Sequence, residues 1–232
     1  MARATSPPPV TATTTKPAGG AKNGRRRGPS KGDMKEDVIL ETTWQLLAVK
    51  PLSTITIDEI AQGAGISRPT FYFYFDSRDA VARALASRVA DQWIDAMAGS
   101  FDVTAEPVDA VRALAETFVG LWRTEGPVLR AMAVLYENDL EMRGFWDNIT
   151  ETLLVAAADS IERERVEGRA LAGPPGSRDL ARVLAAMLWR TGYETSLTPP
   201  SADFDRRMID SLTTVMLRAV YGTTNPSALQ RA

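Results

Sequence analysis

Thr56-Ile57-Asp58-Glu59-Ile60-Ala61-Gln62-Gly63-Ala64-Gly65-Ile66-Ser67-Arg68-Pro69-Thr70-Phe71-Tyr72-Phe73-Tyr74-Phe75 reads as two short helices joined by a tight turn. Ile57, Ile60, Ala61 and Ala64 fall at i, i+3, i+4 and i+7, which gives the first helix one continuous apolar face. Thr56 and Glu59 stand in the Thr-x-x-Glu order of a capping box, in which hydroxyl and carboxylate each satisfy an otherwise orphan amide. Gly65 supplies a residue able to take positive φ, and Ile66 an apolar plug between the helices. Ser67 is a good N-cap for the second helix, and Pro69 falls in its first turn, where a missing amide costs little. Phe71 and Phe75 share one face and are expected to anchor it inward. Arg68, Pro69, Thr70, Tyr72, Phe73 and Tyr74 remain outward, an aromatic and hydroxyl-rich surface suited to a nucleic-acid groove rather than to water alone.

The rest of the chain extends this reading. A helix over about 33–49, with Ile39, Thr43, Leu46 and Leu47 on one face, completes a three-helix unit. A fourth helix is expected from Asp76 or Ser77 to about Ser100, carrying Val81, Leu85, Val89 and Trp93 at intervals of four. After a break at 102–107, helices are expected at about 108–124, 127–137, 139–167, 177–197 and 203–221. Gly126-Pro127, the segment 168–176 and the segment 197–201 supply the breaks between them. The expected fold is all-α: an N-terminal three-helix helix-turn-helix DNA-binding domain at 33–79 and a larger C-terminal helical domain at 80–225. A disordered basic arm at 1–32 and a tail at 226–232 flank them.

Composition removes several functions. The chain of 232 residues has no cysteine and no histidine, so disulfides, thiolate chemistry and a Ser-His-Asp constellation are excluded, and the commonest metal ligands are missing. No catalytic residue, metal or cofactor is assigned. No stretch approaches the roughly 18 consecutive apolar residues of a membrane span, and the N-terminus lacks a secretory apolar core, so a cytoplasmic protein with no membrane partner is expected. The net charge of −2 is unevenly divided: residues 1–35 hold eight basic residues and one acid, a balance of +7, which leaves −9 for the rest. A basic arm for phosphates, with Arg25, Arg26 and Arg27 placed to reach a minor groove, is joined to an acidic body.

The run from Ala64 to Val81 resembles the signature of the TetR family of bacterial transcriptional regulators. Gly65-Ile66-Ser67-Arg68-Pro69-Thr70-Phe71-Tyr72-Phe73-Tyr74-Phe75 is most similar to its EthR-type repressor subgroup. The resemblance covers roughly residues 35–90, and weaker similarity continues to Tyr221-Gly222. It implies that Arg68, Pro69 and Thr70 approach the bases, with Arg68 able to pair with guanine and the Thr70 methyl able to touch thymine, and it places Ser67 in the DNA-binding set. It implies phosphate contacts for Thr56, Tyr72, Tyr74 and Arg78. Pro69 and Phe73 stand where glycine and a polar or tyrosine residue are common, so sugar and methyl contacts are expected there. Arg78 replaces a common lysine.

In the body the same resemblance implies an effector cavity at Phe118, Trp122, Trp146, Leu153, Ala157, Ala185, Leu188, Trp189 and Tyr193. Ala185, Leu188 and Trp189 replace polar residues of the subgroup, which makes the pocket more apolar, with Asn148, Thr152, Thr191 and Glu194 as nearby polar candidates. The last two helices carry more apolar residues (Leu180, Val183, Leu184, Met187, Leu188; Met208, Ile209, Leu212, Val215, Met216, Val220) than one core-facing stripe requires, and the resemblance implies that they pair with their counterparts in a homodimer, which makes 80–225 a ligand-binding and dimerisation domain. The expected function is a ligand-responsive repressor, dimeric on a palindromic double-stranded operator and released by a small apolar or amphipathic effector. The alternative is a carrier of a lipid-like molecule with a weak or vestigial DNA-binding domain.

Overall fold

The computed structural model describes residues 31–99 and 106–225. Among these, eight α-helices run in the order α1 (Lys31–Val49), α2 (Ile57–Gly63), α3 (Arg68–Tyr74), α4 (Arg78–Gly99), α5 (Pro107–Asn138), α6 (Leu140–Val166), α7 (Ser177–Leu197) and α8 (Ala202–Tyr221). The all-α expectation is met. The arm with Arg25, Arg26 and Arg27, most of the break at 102–107 and the tail at 226–232 lie outside the described residues.

The local signals place the helix ends of the three-helix unit at 33–79, called the reader below. Thr56 and Glu59 form both halves of the capping box, with the Glu59 amide donating to Thr56 Oγ1 at 3.2 Å and the Thr56 amide to Glu59 Oε2 at 2.9 Å. Gly65 takes φ +64° in the turn, a conformation that a side chain would disfavour. Ser67 Oγ accepts from the Thr70 amide, and Ser77 Oγ from that of Ala80, so both α3 and α4 begin on a serine cap. Phe71 is wholly buried beneath α3, and Phe75 is buried beside it.

One helix departs from expectation. Gly126-Pro127 was expected to separate two helices, yet α5 continues through both for 32 residues, about 48 Å at 1.5 Å per residue. An interior proline costs about 3 kcal/mol. Beyond it, however, Val128, Leu129, Met132 and Leu135 are all buried, and each such side chain contributes roughly 1.5–3 kcal/mol. Tertiary burial therefore outweighs the local penalty. Gly126 also permits the contact with α7, since a Cβ there would sit 2.8 Å from Ser196 Cβ.

Helix α5 is the axis of the molecule, packed against α1, α4, α6, α7 and α8. A continuous core runs from Ile39, Ile60 and Phe71 through Val81, Leu85 and Trp93 to Trp122, Leu129 and Met216. The expected boundary at 79/80 thus falls in the first turn of α4, a helix whose apolar face serves both parts. Two polar contacts reinforce the junction. Trp44 Nε1 on α1 donates to Glu125 Oε2 on α5 at 3.0 Å, and Arg83 on α4 donates to Asp139 Oδ2 at 2.7 Å. Asp139 also caps α6 through the amides of Glu141 and Met142. Chiefly the Met142 amide, with help from Arg83, holds its carboxyl below the ordinary range.

Candidate DNA-reading surface and ligand cavity

Helix α3 presents Arg68, Pro69, Tyr72 and Phe73 to solvent, with Thr70 and Tyr74 half-buried. Phe73 is 83% exposed, so it does not serve the core, although its ring meets Tyr74 edge-on with centroids 5.2 Å apart. Arg68 is already engaged: its Nη1 donates to both carboxylate oxygens of Asp58, at 3.2 and 3.0 Å, and its Nη2 to the Tyr72 hydroxyl at 3.4 Å. Tyr72 first and Asp58 second strengthen its hold on the proton. A base contact by Arg68 requires exchanging these partners.

Arg78 is tied inward. Its Nη1 donates to the carbonyls of Ser53 and Ile55, and its Nε to Asp79, so it braces the start of α4 against the turn before α2. The Thr56 hydroxyl donates to Glu59 within the capping box, and Ser67 shares a hydrogen bond with the Thr70 hydroxyl. Among the described residues expected on DNA, Pro69, Tyr72 and Phe73 are the exposed ones not drawn into caps or carboxylates.

The body encloses a cavity of about 650 Å³ between α4, α5, α6, α7 and α8. Phe118, Trp146, Leu153, Ala157, Ala185, Leu188 and Trp189 line it. Trp122 and Tyr193 do not: Trp122 is sealed behind the wall with 0% exposure, pressed on by the α7 backbone at Gly192, where a Cβ would lie 2.2 Å from the indole nitrogen. Tyr193 packs edge-on to Trp122. The polar candidates Asn148, Thr152, Thr191 and Glu194 also fall outside the lining. Glu194 is paired with Arg190, and the Thr152 hydroxyl is spent on the Asn148 carbonyl.

Trp93 on α4 was not expected in the cavity. It stacks on Trp189 with centroids 5.8 Å apart and meets Trp146 at 5.1 Å and Phe118 at 6.4 Å. Among the described residues, the indole N–H groups of Trp93 and Trp122 are buried without an acceptor, which places the ring packing above hydrogen bonding in this core. At one end Tyr136, Glu137, Asp147 and Thr150 form a polar collar, with the Tyr136 hydroxyl donating to Asp147 Oδ1 at 2.9 Å. That bond raises the Tyr136 pKa. Elsewhere in the lining, Arg169 holds the Glu164 carboxyl below its usual range, while burial first and Glu164 second push the Tyr221 phenol up. Trp93 and the collar carried weak sequence signals, one a residue in an i, i+4 stripe, the other charges at helix ends.

Arg68 through Phe73 and this cavity, joined through α4, define a helix-turn-helix DNA-binding transcriptional regulator with an internal chamber. Residues 39–85 match the bacterial regulatory proteins of the tetR family, and residues 111–222 match the C-terminal domain of transcriptional regulator EthR. The HTH-type transcriptional regulator EthR of Mycolicibacterium smegmatis is 34% identical over 203 residues, spanning 86% of this chain and 92% of that protein. Its namesake in Mycobacterium tuberculosis H37Rv is 32% identical over 210 residues, spanning 86% and 93%. A TetR-like transcriptional regulator from Rhodococcus sp. RHA1 shares the fold, with a TM-score of 0.64 at 18% identity, covering 83% of this chain and 97% of that one. The chain belongs to the TetR family, as an EthR-type regulator. Among the described residues no helix is long and apolar enough to cross a membrane.

Proposed function

We propose that the protein is a homodimeric repressor that binds a palindromic operator through α3 and releases it when an apolar or amphipathic effector fills the cavity. The observation that carries this reading is α4, whose first residue, Arg78, is bonded to the reader and whose Trp93 forms part of the chamber wall. An effector that favours one position of Trp93 thereby favours one position of the reader, and it shifts the equilibrium only by its differential affinity for the two states.

In this reading Pro69, Thr70 and Phe73 face base edges and sugars, Arg68 exchanges Asp58 for guanine, and Tyr72 and Tyr74 offer hydroxyls to phosphates. Residues 33–79 form the reader and 80–225 the effector and dimer domain. Dimerisation uses α7 and α8, on which Val183 and Val215 are left exposed. Two readers then address successive major grooves.

The test is a fluorescence-anisotropy titration onto DNA from the region upstream of the protein's own coding sequence, against scrambled DNA, over a salt series. Selective binding that Tyr72→Phe weakens is expected. Equal binding to both DNAs, lost alike as salt rises, overturns the repressor reading for that site.

A further inference from the structure

We infer that the cavity selects amphiphiles with a cationic head, a specificity set by the aromatic wall of Trp93, Trp146 and Trp189 beside the carboxylates of Glu137 and Asp147. The inference rests on the cavity being the effector site and adds the chemical class of the effector. Trp146 and Asp147 both line the chamber, as does Tyr136, whose hydroxyl donates to Asp147 Oδ1 at 2.9 Å. Centroid distances of 4.9 Å from Trp146 to Trp189 and 5.1 Å to Trp93 make the wall one electron-rich surface.

Among the described residues four charged ones contribute to the lining: Glu137, Asp147, Glu164 and Arg182. Glu164 is engaged by Arg169, its Oε1 2.5 Å from Nη2, which leaves two exposed collar carboxylates against the exposed guanidinium of Arg182 on α7. Arg143 is bound at the collar without lining the chamber, its guanidinium held by the Tyr136 and Glu137 carbonyls at 3.1 and 3.0 Å. The chain has no histidine, and among the described residues no lysine lines the chamber. Burying a charge is costly unless it finds compensation. An ammonium group meets ring faces and opposite charge here, whereas a carboxylate head meets like charge at the collar. The remainder of the wall, including Leu114, Leu153 and Leu188, accepts the apolar tail.

Three probes of one tail length separate charge from hydrophobicity: decyltrimethylammonium, decan-1-ol and decanoate, each titrated below its micelle concentration and followed by the fluorescence of the lining tryptophans. Decyltrimethylammonium is expected to bind at least about tenfold more tightly than decanol, the scale of one desolvated cation–π contact, with decanoate weakest. Asp147→Asn combined with Glu137→Gln should bring the ammonium-to-decanol ratio toward one, and Arg182→Gln should raise it. Equal binding of ammonium and alcohol, or tighter binding of decanoate, overturns the cationic preference while leaving the effector cavity standing. Failure of all three to bind overturns the cavity reading and this inference with it.

Discussion

Replacing Phe73 by alanine should separate DNA binding from folding. The ring is 83% exposed and meets Tyr74 edge-on, so its removal should change the stability of the fold by less than about 0.5 kcal/mol. An aromatic side chain offers roughly 150–250 Å². If a groove covers about half of the exposed part, some 75 Å² leaves water on binding, or about 2 kcal/mol per reader at 25 cal/mol/Å². With two readers and a wet, polar interface taken into account, operator affinity should fall by at least about tenfold. Phe73→Ala and Phe73→Leu would be compared with wild type in thermal melts and anisotropy titrations, leucine retaining most of the apolar area that alanine loses. An unchanged melt with weakened binding is expected. A twofold or smaller loss of affinity, or a melt lowered as a core deletion would lower it, refutes the placement of Phe73 against DNA.

Asp58→Asn frees Arg68 from its resting partner and removes an acid beside the phosphates, so DNA affinity should rise and its salt dependence steepen; a titration at several salt concentrations checks both. Gly192→Ala drives a methyl group into the indole of Trp122, which has no room to retreat, and should destabilise the protein by at least about 2 kcal/mol in denaturant unfolding. Lys50 first, then Thr56, lowers the Glu59 pKa from 4.5 to about 2. A carboxyl depressed in the folded state contributes stability that is complete above its unfolded value and is lost as pH falls through the folded one. Glu59→Gln should therefore flatten the decline in stability between pH 4.5 and about 2, as read by melts across that range.

The reader was legible in the sequence almost residue by residue, because its boundaries depend on local chemistry: a capping box at Thr56 and Glu59, a positive φ at Gly65, a serine cap at Ser67. The α5 helix was not, because whether Pro127 ends a helix depends on what lies against Val128, Leu129 and Met132, and those partners are far away in the chain. Helical spacing also identified which faces of α5 and α7 turn inward without giving depth. Trp122 lies one layer too deep to reach the cavity, while Trp93 reaches it from a helix assigned to linkage. Glu137 and Asp147 were overlooked because charges at helix ends ordinarily belong to solvent; only their position over the chamber distinguishes them.

From Arg78, pinned to the reader's carbonyls, to Trp93, set in the chamber wall, α4 runs unbroken over 15 residues, about 22 Å of rigid rod. A tilt of roughly 5° about the wall end swings the far end by about 2 Å over that length. That displacement is about two-thirds of the donor–acceptor distance of a hydrogen bond, enough to break the bonds that side chains make in a groove. In the proposed repressor an effector therefore need not melt or expose anything: a few tenths of an ångström at an indole ring, multiplied by leverage, would put two readers out of step with the helical repeat of DNA.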